Sequence, residues 1–402
     1  MINGLWDFHI MIDAILLKIY LSCCVLLWLS SFGYVLILRL LVFMKPQRAQ
    51  KPVDLPQIAV AILTLNEEHG IVQKLGDMEL CDYPRDRIKT IVVDGGSTDR
   101  TIELVQKEFS RGKKIEIIRL NGCRGKIDQV NHILTNRSEE IIVFTDSDSR
   151  LEPSCIRELV HTLIGTPQSA VVGAAVKPET MLLEEQIHWH FLNTIWWLEG
   201  EILSSAGISG VCYAVNRNVS LSIAQDAIAE DIHLALNFSA QGYRVRICPQ
   251  AKAVELRVPQ TPREFIQFRR RRGASYFHEL VTSPRSPNPP FSWKLARIVR
   301  LWQFSWTSWL SAAVLTASGL LLLTQYRIYP LAFLAALILS AFLPAMGLIN
   351  HGEKRPGIFA LSFGMLRFAA LTLVSLLSLK KSPSQLGPLG GREKIYDNYP
   401  TV

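Results

Sequence analysis

The sequence predicts an α/β domain with a largely parallel sheet, set between apolar segments long enough to cross a membrane. Three observations predict it. From about residue 57, short apolar runs alternate with stretches of helical periodicity, as in strand–helix units. Several runs stop at turns rich in Asp, Gly and Ser, where an open sheet delivers side chains to its carboxyl edge. Both ends of the chain are strongly apolar, at residues 14–43 and through most of the last quarter.

Bulk properties agree. The chain has 402 residues with 49% hydrophobic content, and its mean hydropathy of +0.20 reflects those apolar ends. That length allows about two to three domains. The net charge of +8, from 43 basic and 35 acidic residues, suits nucleic acid, anionic lipid or a phosphorylated substrate. The seven cysteines show no C-x-x-C pair and no metal-like spacing, which suits reduced thiols in a cytoplasmic domain.

Residues 14–43 exceed the roughly 20 needed to span a bilayer. No small-residue cleavage site follows, so the segment reads as an anchor rather than a signal peptide. Lys45, Arg48 and Lys51 place the following side in the cytoplasm. Pro46, Pro52 and Pro56 make a stiff linker.

Ile58 to Leu65 reads as the first strand and residues 68–80 as a helix. A second strand, Ile88 to Val93, ends at Asp94-Gly95-Gly96-Ser97-Thr98-Asp99. The glycines allow a tight turn, and Ser97 or Thr98 can cap a helix with Ile102, Val105 and Phe109 on one face. Lys114 to Leu120 is a third strand. The Gly122–Lys126 loop then enters a helix with Ile127, Val130 and Leu134 on one face. The fourth strand, Ile141 to Phe144, delivers Asp146 and Asp148. Residues two apart on extended chain point the same way, so both can face one cation or polar ligand. A solvated, Asp-rich, helix-capping turn accounts for the same residues. Glu152-Pro153 can open the next helix, and Ala170 to Val176 is a fifth strand.

Trp189, Phe191, Trp196 and Trp197 form an aromatic belt suited to a membrane surface, with domain core as the alternative. His188 and His190, two apart, diverge on a helix and make no metal pair. Ile208 to Asn216 is a further strand or an edge segment. Ala229 to Leu234 starts a helix whose dipole favours Glu230 and Asp231 in its first turn; His233 has no assigned role. The four arginines Arg269 to Arg272 suit a solvated face, a lipid-headgroup patch or a phosphate site. Residues 291–305 look like an interfacial helix, and spans are expected at 306–324, 329–349 and 357–379. Arg367 inside the last must face protein or water, and Pro344 can kink the middle one. The expected division is an anchor at 1–49, a cytoplasmic domain at 50–285, membrane helices at 286–380 and a poorly ordered tail at 381–402.

Several of these residues stand in a familiar order. Asn66-Glu67, Asp94–Asp99, Gly125-Lys126, Asp146-Ser147-Asp148, Glu230-Asp231 and Gln267-Phe268-Arg269-Arg270 together resemble family 2 glycosyltransferases. More narrowly, the chain resembles their membrane-bound branch, with its cellulose, hyaluronan and chitin-oligosaccharide synthases. The resemblance covers about residues 57–280 and the flanking helices. It implies a GT-A fold, a Rossmann-like nucleotide-sugar domain. It implies that Asn66, Glu67 and Asp94 hold the base and ribose, that Gly125, Lys126 and Gln267 belong to the donor site, and that Arg269 and Arg270 hold the diphosphate. Arg271 and Arg272 are left to the lipid surface. Asp148 would ligate Mg2+ or Mn2+, with Asp146 on metal and sugar nucleotide. Asp231 would be the general base and Glu230 a positioning acid in a one-step inverting transfer. The implied donor is a UDP-sugar and the acceptor a membrane lipid or growing polysaccharide. The processive synthases carry Gln-x-x-Arg-Trp; here Arg271 replaces the tryptophan, and Ser209-Gly210 matches only part of the acceptor segment. A catalytically silent homologue acting as a binding subunit is the alternative. A nucleic-acid binder is disfavoured, because the arginine run adjoins membrane segments and lacks a recognition motif.

Overall fold

The computed structural model describes residues 2–45, 54–112, 114–123, 125–219, 223–282, 286, 288–333 and 335. The chain opens with α1 (Ile2–Trp28) and α2 (Tyr34–Met44), separated by a π-helical turn at Leu29–Gly33. The 14–43 segment is therefore helical throughout, with a π-helical turn between its two α-helical parts. At that turn the Ser30 carbonyl accepts a hydrogen bond from Gln303 Nε2 at 2.6 Å.

Strands and helices then alternate. They are β1 (Ile58–Thr64), α3 (Ile71–Leu80), β2 (Ile88–Asp94), α4 (Thr101–Ser110), β3 (Ile115–Arg119), α5 (Lys126–Asn136) and β4 (Ile141–Asp146). Next come β5 (Ser149–Leu151), α6 (Cys155–Gly165), β6 (Ser169–Pro178), α7 (Leu183–Ile202), β7 (Cys212–Asn216), α8 (Glu230–Ala240) and β8 (Arg244–Glu255). Two long helices follow, α9 (Pro262–Thr282) and α10 (Phe291–Leu321).

The eight strands form one sheet in the order β3-β2-β1-β4-β7-β6-β8-β5. Strands β3, β2, β1 and β4 run parallel, and β1 is buried along its whole length, as a strand covered on both faces must be. The other half is mixed. Strand β7 is antiparallel to both β4 and β6, so Ile208–Asn216 yields an interior strand and not an edge. Strand β8 is parallel to β6 and antiparallel to β5. The chain leaves β1 to one side for β2 and β3, and to the other for β4. That switch of direction opens a crevice beyond the carboxyl ends of β1 and β4.

Packing corrects three further expectations. Trp189 and Trp196 are 3% and 4% exposed and belong to the main core, so the aromatic belt is core rather than a membrane surface. The large rings of α7 pack into the core, where their apolar area is removed from water. Phe109, expected on the buried face of its helix, is exposed while Ile102 and Val105 are buried. Residues 291–305 and 306–321 form one helix instead of an interfacial helix and a separate span.

On the far side α10 packs along α1, with Tyr20 and Cys24 against Val314, Ala317 and Leu321. A buried polar knot ties α2 and α10 to the α/β domain. Glu199 Oε1 of α7 accepts from Tyr34 Oη at 2.8 Å and from Arg300 Nη2 at 2.6 Å. Among the described residues one helical stretch, Ile10–Trp28, is long and apolar enough to cross a membrane, with mean hydropathy 2.2. Most of the expected 329–349 span, the 357–379 span with Arg367, Pro344 and the tail lie outside the described residues, as do Pro46, Arg48, Lys51 and Pro52.

Candidate active site

The loops after β1 and β2 are zipped together at the crevice. Asn66 sits at φ 54, a left-handed conformation that asparagine tolerates better than most residues. Its backbone N–H donates to Ser97 Oγ at 2.8 Å, and its Oδ1 accepts from the Thr98 N–H at 2.8 Å. The Glu67 N–H donates to Thr101 Oγ1 at 2.8 Å. Asp99, not Ser97 or Thr98, caps α4: its Oδ1 accepts from the Thr101 N–H at 3.0 Å. Hydrogen bonds from Glu68 and Thr101 hold the Asp99 carboxyl below the usual range despite its partial burial. Asp94 is fully buried at the end of β2, with Oδ1 accepting from the Ser97 N–H at 3.0 Å. Its Oδ2 accepts no hydrogen bond and lies 3.6 Å from Arg119 Nε.

The two acids of the Asp146-Ser147-Asp148 motif part company. β4 ends at Asp146, Ser147 and Asp148 form a turn, and the chain resumes as β5. Asp146 Oδ1 is 2.7 Å from Lys126 Nζ, whereas Asp148 Oδ2 is 2.9 Å from Arg257 Nη2. Beneath the turn lies Lys74 of α3, fully buried. Its Nζ donates to Thr145 Oγ1 at 2.7 Å and to Ser149 Oγ at 2.9 Å. Burial pulls the Lys74 amine below its ordinary value. One turn on, Asp77 accepts from Arg150 Nη2 at 2.6 Å and from the Leu151 N–H at 3.1 Å. Helix α3 therefore grips the turn on both sides.

Glu230 and Asp231 open α8 and face the same place. Lys126, in the first turn of α5, joins the two acidic motifs, with Nζ 2.7 Å from Asp146 and 2.6 Å from Glu230 Oε1. Gly125 before it sits at φ +147, a conformation other residues rarely adopt. Asp231 accepts from the Gly210 N–H at 2.7 Å and from the Ile232 N–H at 2.8 Å. A Cβ at Gly210 would stand 2.9 Å from Lys126 Nζ, 3.0 Å from Glu230 Oε1 and 3.1 Å from Asp231 Oδ2. A side chain there would push these charged groups aside, so the glycine lets the chain cross the centre of the cluster without disturbing it.

Burial sets the electrostatics. It pushes Asp146 up to about 7, opposed by Lys126 and reinforced by Asp148 and Glu230. It pushes Asp231 up to about 6, aided by Glu230 and opposed by Lys126. Burial also works against the charge of Lys126, but Asp146 and Glu230 outweigh it and hold the amine firmly protonated.

The arginine run divides differently from the expectation. Arg269 donates from Nη2 to both carboxylate oxygens of Glu185, at 2.7 and 3.0 Å, and is buried. So paired, it is not open to a diphosphate in this arrangement. Arg272, expected at the lipid surface, keeps a side chain 41% exposed but is engaged within the domain. It pairs with Glu255, lies over the rings of Phe268 and Trp189, and its charge is felt by Asp231. Arg270 is half-buried, while Gln267 and Arg271 are exposed.

A family model described as glycosyl transferase family 2 matches residues 59–222, and one described as glycosyl transferase family group 2 matches residues 141–349, more than half the chain. The chain is a family 2 glycosyltransferase. YdaM of Bacillus subtilis, a probable glycosyltransferase, is 29% identical over 221 residues, 51% of this chain and 52% of that protein. A beta-monoglucosyldiacylglycerol synthase of Nostoc is 26% identical over 161 residues, 37% of this chain and 34% of that protein. The chain thus spans about half the length of the first relative and a third of the second. The mannosyltransferase PcManGT of Pyrobaculum calidifontis, solved with GDP-Man and Mn2+, covers 91% of this chain and 100% of its own at TM-score 0.66 and 20% identity. That likeness shows the fold, the α/β, Rossmann-like GT-A arrangement.

Four residues of this glycosyltransferase that shape its site carry no motif in the sequence. They are Lys74 and Asp77 under the turn, Arg257 on Asp148, and Glu279. Glu279 Oε2 lies 2.9 Å from His233 Nδ1, and its Oε1 accepts from the Ile228 N–H at 2.7 Å, fixing the entry to α8. The one signal available was a charged residue on the apolar face of a helix, which Lys74 and Glu279 both are.

Proposed function

We propose that this glycosyltransferase moves a sugar from a nucleotide-sugar donor, a UDP-sugar, onto a membrane-held lipid or a growing polysaccharide, with inversion and with help from a divalent cation. The observation that carries the reading is the gathering of Asp146, Lys126, Glu230 and Asp231 around the Gly210 backbone, beside the β1/β4 crevice.

In this reading the loops after β1 and β2 form the nucleoside end. Asn66 and Glu67 shape it, and the unmatched Oδ2 of Asp94 suits a base N–H, since a buried oxygen without a donor is costly. Lys126 and Arg270 hold the diphosphate, with Gly125 and Gln267 beside them. Among the described residues no three His, Cys, Asp or Glu side chains gather as a ligand set. The oxygen donors Asp148 and Asp146 still fit Mg2+ or Mn2+, which is often held by one or two carboxylates plus substrate phosphate and water. Such an ion, bound with the diphosphate, would neutralise the charge gathering on the leaving group. Asp231 takes the acceptor hydroxyl proton as that oxygen attacks the anomeric carbon, in one step without a covalent sugar–enzyme intermediate. Its raised value suits a base working near neutrality. Glu230 keeps Lys126 aligned between the two motifs.

The membrane reading draws on the Ile10–Trp28 helix and on exposed apolar side chains that include Ile15, Ile19, Leu40, Phe43, Trp309 and Leu315. It makes the protein a multi-pass membrane protein with its α/β domain in the cytoplasm. Arg271, where processive synthases carry tryptophan, favours a single addition. The Nostoc relative's name, a diacylglycerol glucosyltransferring synthase, supports a lipid acceptor.

The test is incubation of purified membranes with labelled UDP- and GDP-sugars, with and without chelator. The expected product is one labelled glycolipid from a UDP-sugar, abolished by chelator and restored by Mg2+ or Mn2+. Transfer that persists in chelator would sink the cation assignment, and a ladder of long products would sink single addition.

A further inference from the structure

We infer that Arg257 is a resident counter-cation that competes with the divalent ion for Asp148, and so sets how tightly the donor-free site takes metal. The inference deepens the cation-assisted reading above and rests on it. Arg257 lies just beyond β8, outside every motif that the sequence brings to the site. Its Nη2 stands 2.8 Å from Glu67 Oε1 and 2.9 Å from Asp148 Oδ2. One nitrogen is therefore shared between the loop after β1 and the turn after β4. The side chains are 31%, 6% and 19% exposed for Arg257, Glu67 and Asp148, so water screens them only in part.

The consequence follows from charge. A guanidinium stays protonated at any physiological pH, so its charge leaves Asp148 only if the side chain moves. An incoming divalent ion meets that charge within ion-pair distance, and the two repel. Glu67 supplies the second place to rest: the more the guanidinium sits on Glu67, the more of Asp148 is open. Lys126 stands in the same relation to Asp146, with Glu230 as the second carboxylate. Each acid of the motif thus has its own basic partner, and each partner has another acid to fall back on.

A strut that merely joins two loops would weaken metal binding whichever end was cut. Competition demands opposite signs. The experiment is Mn2+ titration of the full-length protein in detergent, without nucleotide, read by electron paramagnetic resonance. Arg257→Gln is expected to tighten Mn2+ by about tenfold, and Glu67→Gln to weaken it by about tenfold. In the Arg257→Gln background, Glu67→Gln should have little effect, because Glu67 acts through the guanidinium. Arg257→Lys, which keeps the charge, should stay near wild type. Unchanged or weaker Mn2+ binding in Arg257→Gln overturns the inference. If that variant fails to fold, an unchanged affinity in Glu67→Gln overturns it alone. Wild-type protein that takes up no Mn2+, with or without UDP, would instead overturn the cation-assisted reading itself.

Discussion

The two sides of the crevice are built by different forces. The side proposed to take the nucleoside, from β1 to α4, is held by short hydrogen bonds between neighbouring loops: Asn66 with Ser97 and Thr98, Glu67 with Thr101, Asp99 with its own helix. The side proposed to take the acceptor is held by ion pairs between residues far apart in sequence, with at least one partner buried. Lys126 pairs with Glu230 and Arg269 with Glu185. Neutral loop bonds tolerate change one at a time, each worth about 0.5–1.5 kcal/mol. A buried pair cut on one side leaves a stranded charge and costs about 3–5 kcal/mol. The acceptor side should therefore be the less forgiving of the two.

The largest expected effect lies there. Asp231→Asn keeps the shape and removes the basicity, and should lower turnover by about 10²–10⁴ while donor affinity stays near wild type. Turnover and UDP-sugar affinity measured on the same preparation decide it. Near-normal turnover would end the base assignment, and lost donor affinity would make Asp231 a helix cap that also holds the Gly210 loop.

A second effect sharpens the same side. A base must be deprotonated to act, and burial places Asp231, the proposed base, at about 6. Activity should be full above that value and fall about tenfold per pH unit below it. A pH profile of kcat/KM that stays flat down to pH 5 would contradict this.

The smallest effect belongs to the nucleoside side. Asp94→Asn keeps an acceptor and replaces the unmatched oxygen with a donor or a second contact of the wrong kind. Donor affinity should weaken by about 1–3 kcal/mol, with turnover at saturating donor unchanged. Calorimetric titration with UDP checks it. A fall in turnover without loss of affinity would show that the two sides are not separable.

The nucleoside side was also the more legible from residues alone. Its strands, its tight turn at Gly95-Gly96 and the acids at their ends lie in one continuous stretch, and apolar period and turn chemistry report on such stretches directly. The start of α8 with Glu230 and Asp231 was legible for the same reason. The other half of the sheet was not. β8 escaped because Pro249 interrupts it, and the pairing with β6 absorbs the break as an irregularity between Ala174 and Ala175. Whether β7 was an interior strand or an edge stayed open, because nothing in five residues says that two strands will flank it.

By itself the sequence determined the alternation of strands and helices, the apolar ends, and which acids stand where strands and helices stop. Those follow from local spacing and turn chemistry. Only the tertiary structure decided which cation meets which acid. It put Lys126 on Asp146, Arg257 on Asp148, Arg269 on Glu185 and Arg272 on Glu255, and it moved two tryptophans inward. The physical reason is range. A buried charge must find its partner across the fold, and that partner is fixed by the register of strands and the packing of helices, which short windows of sequence do not encode.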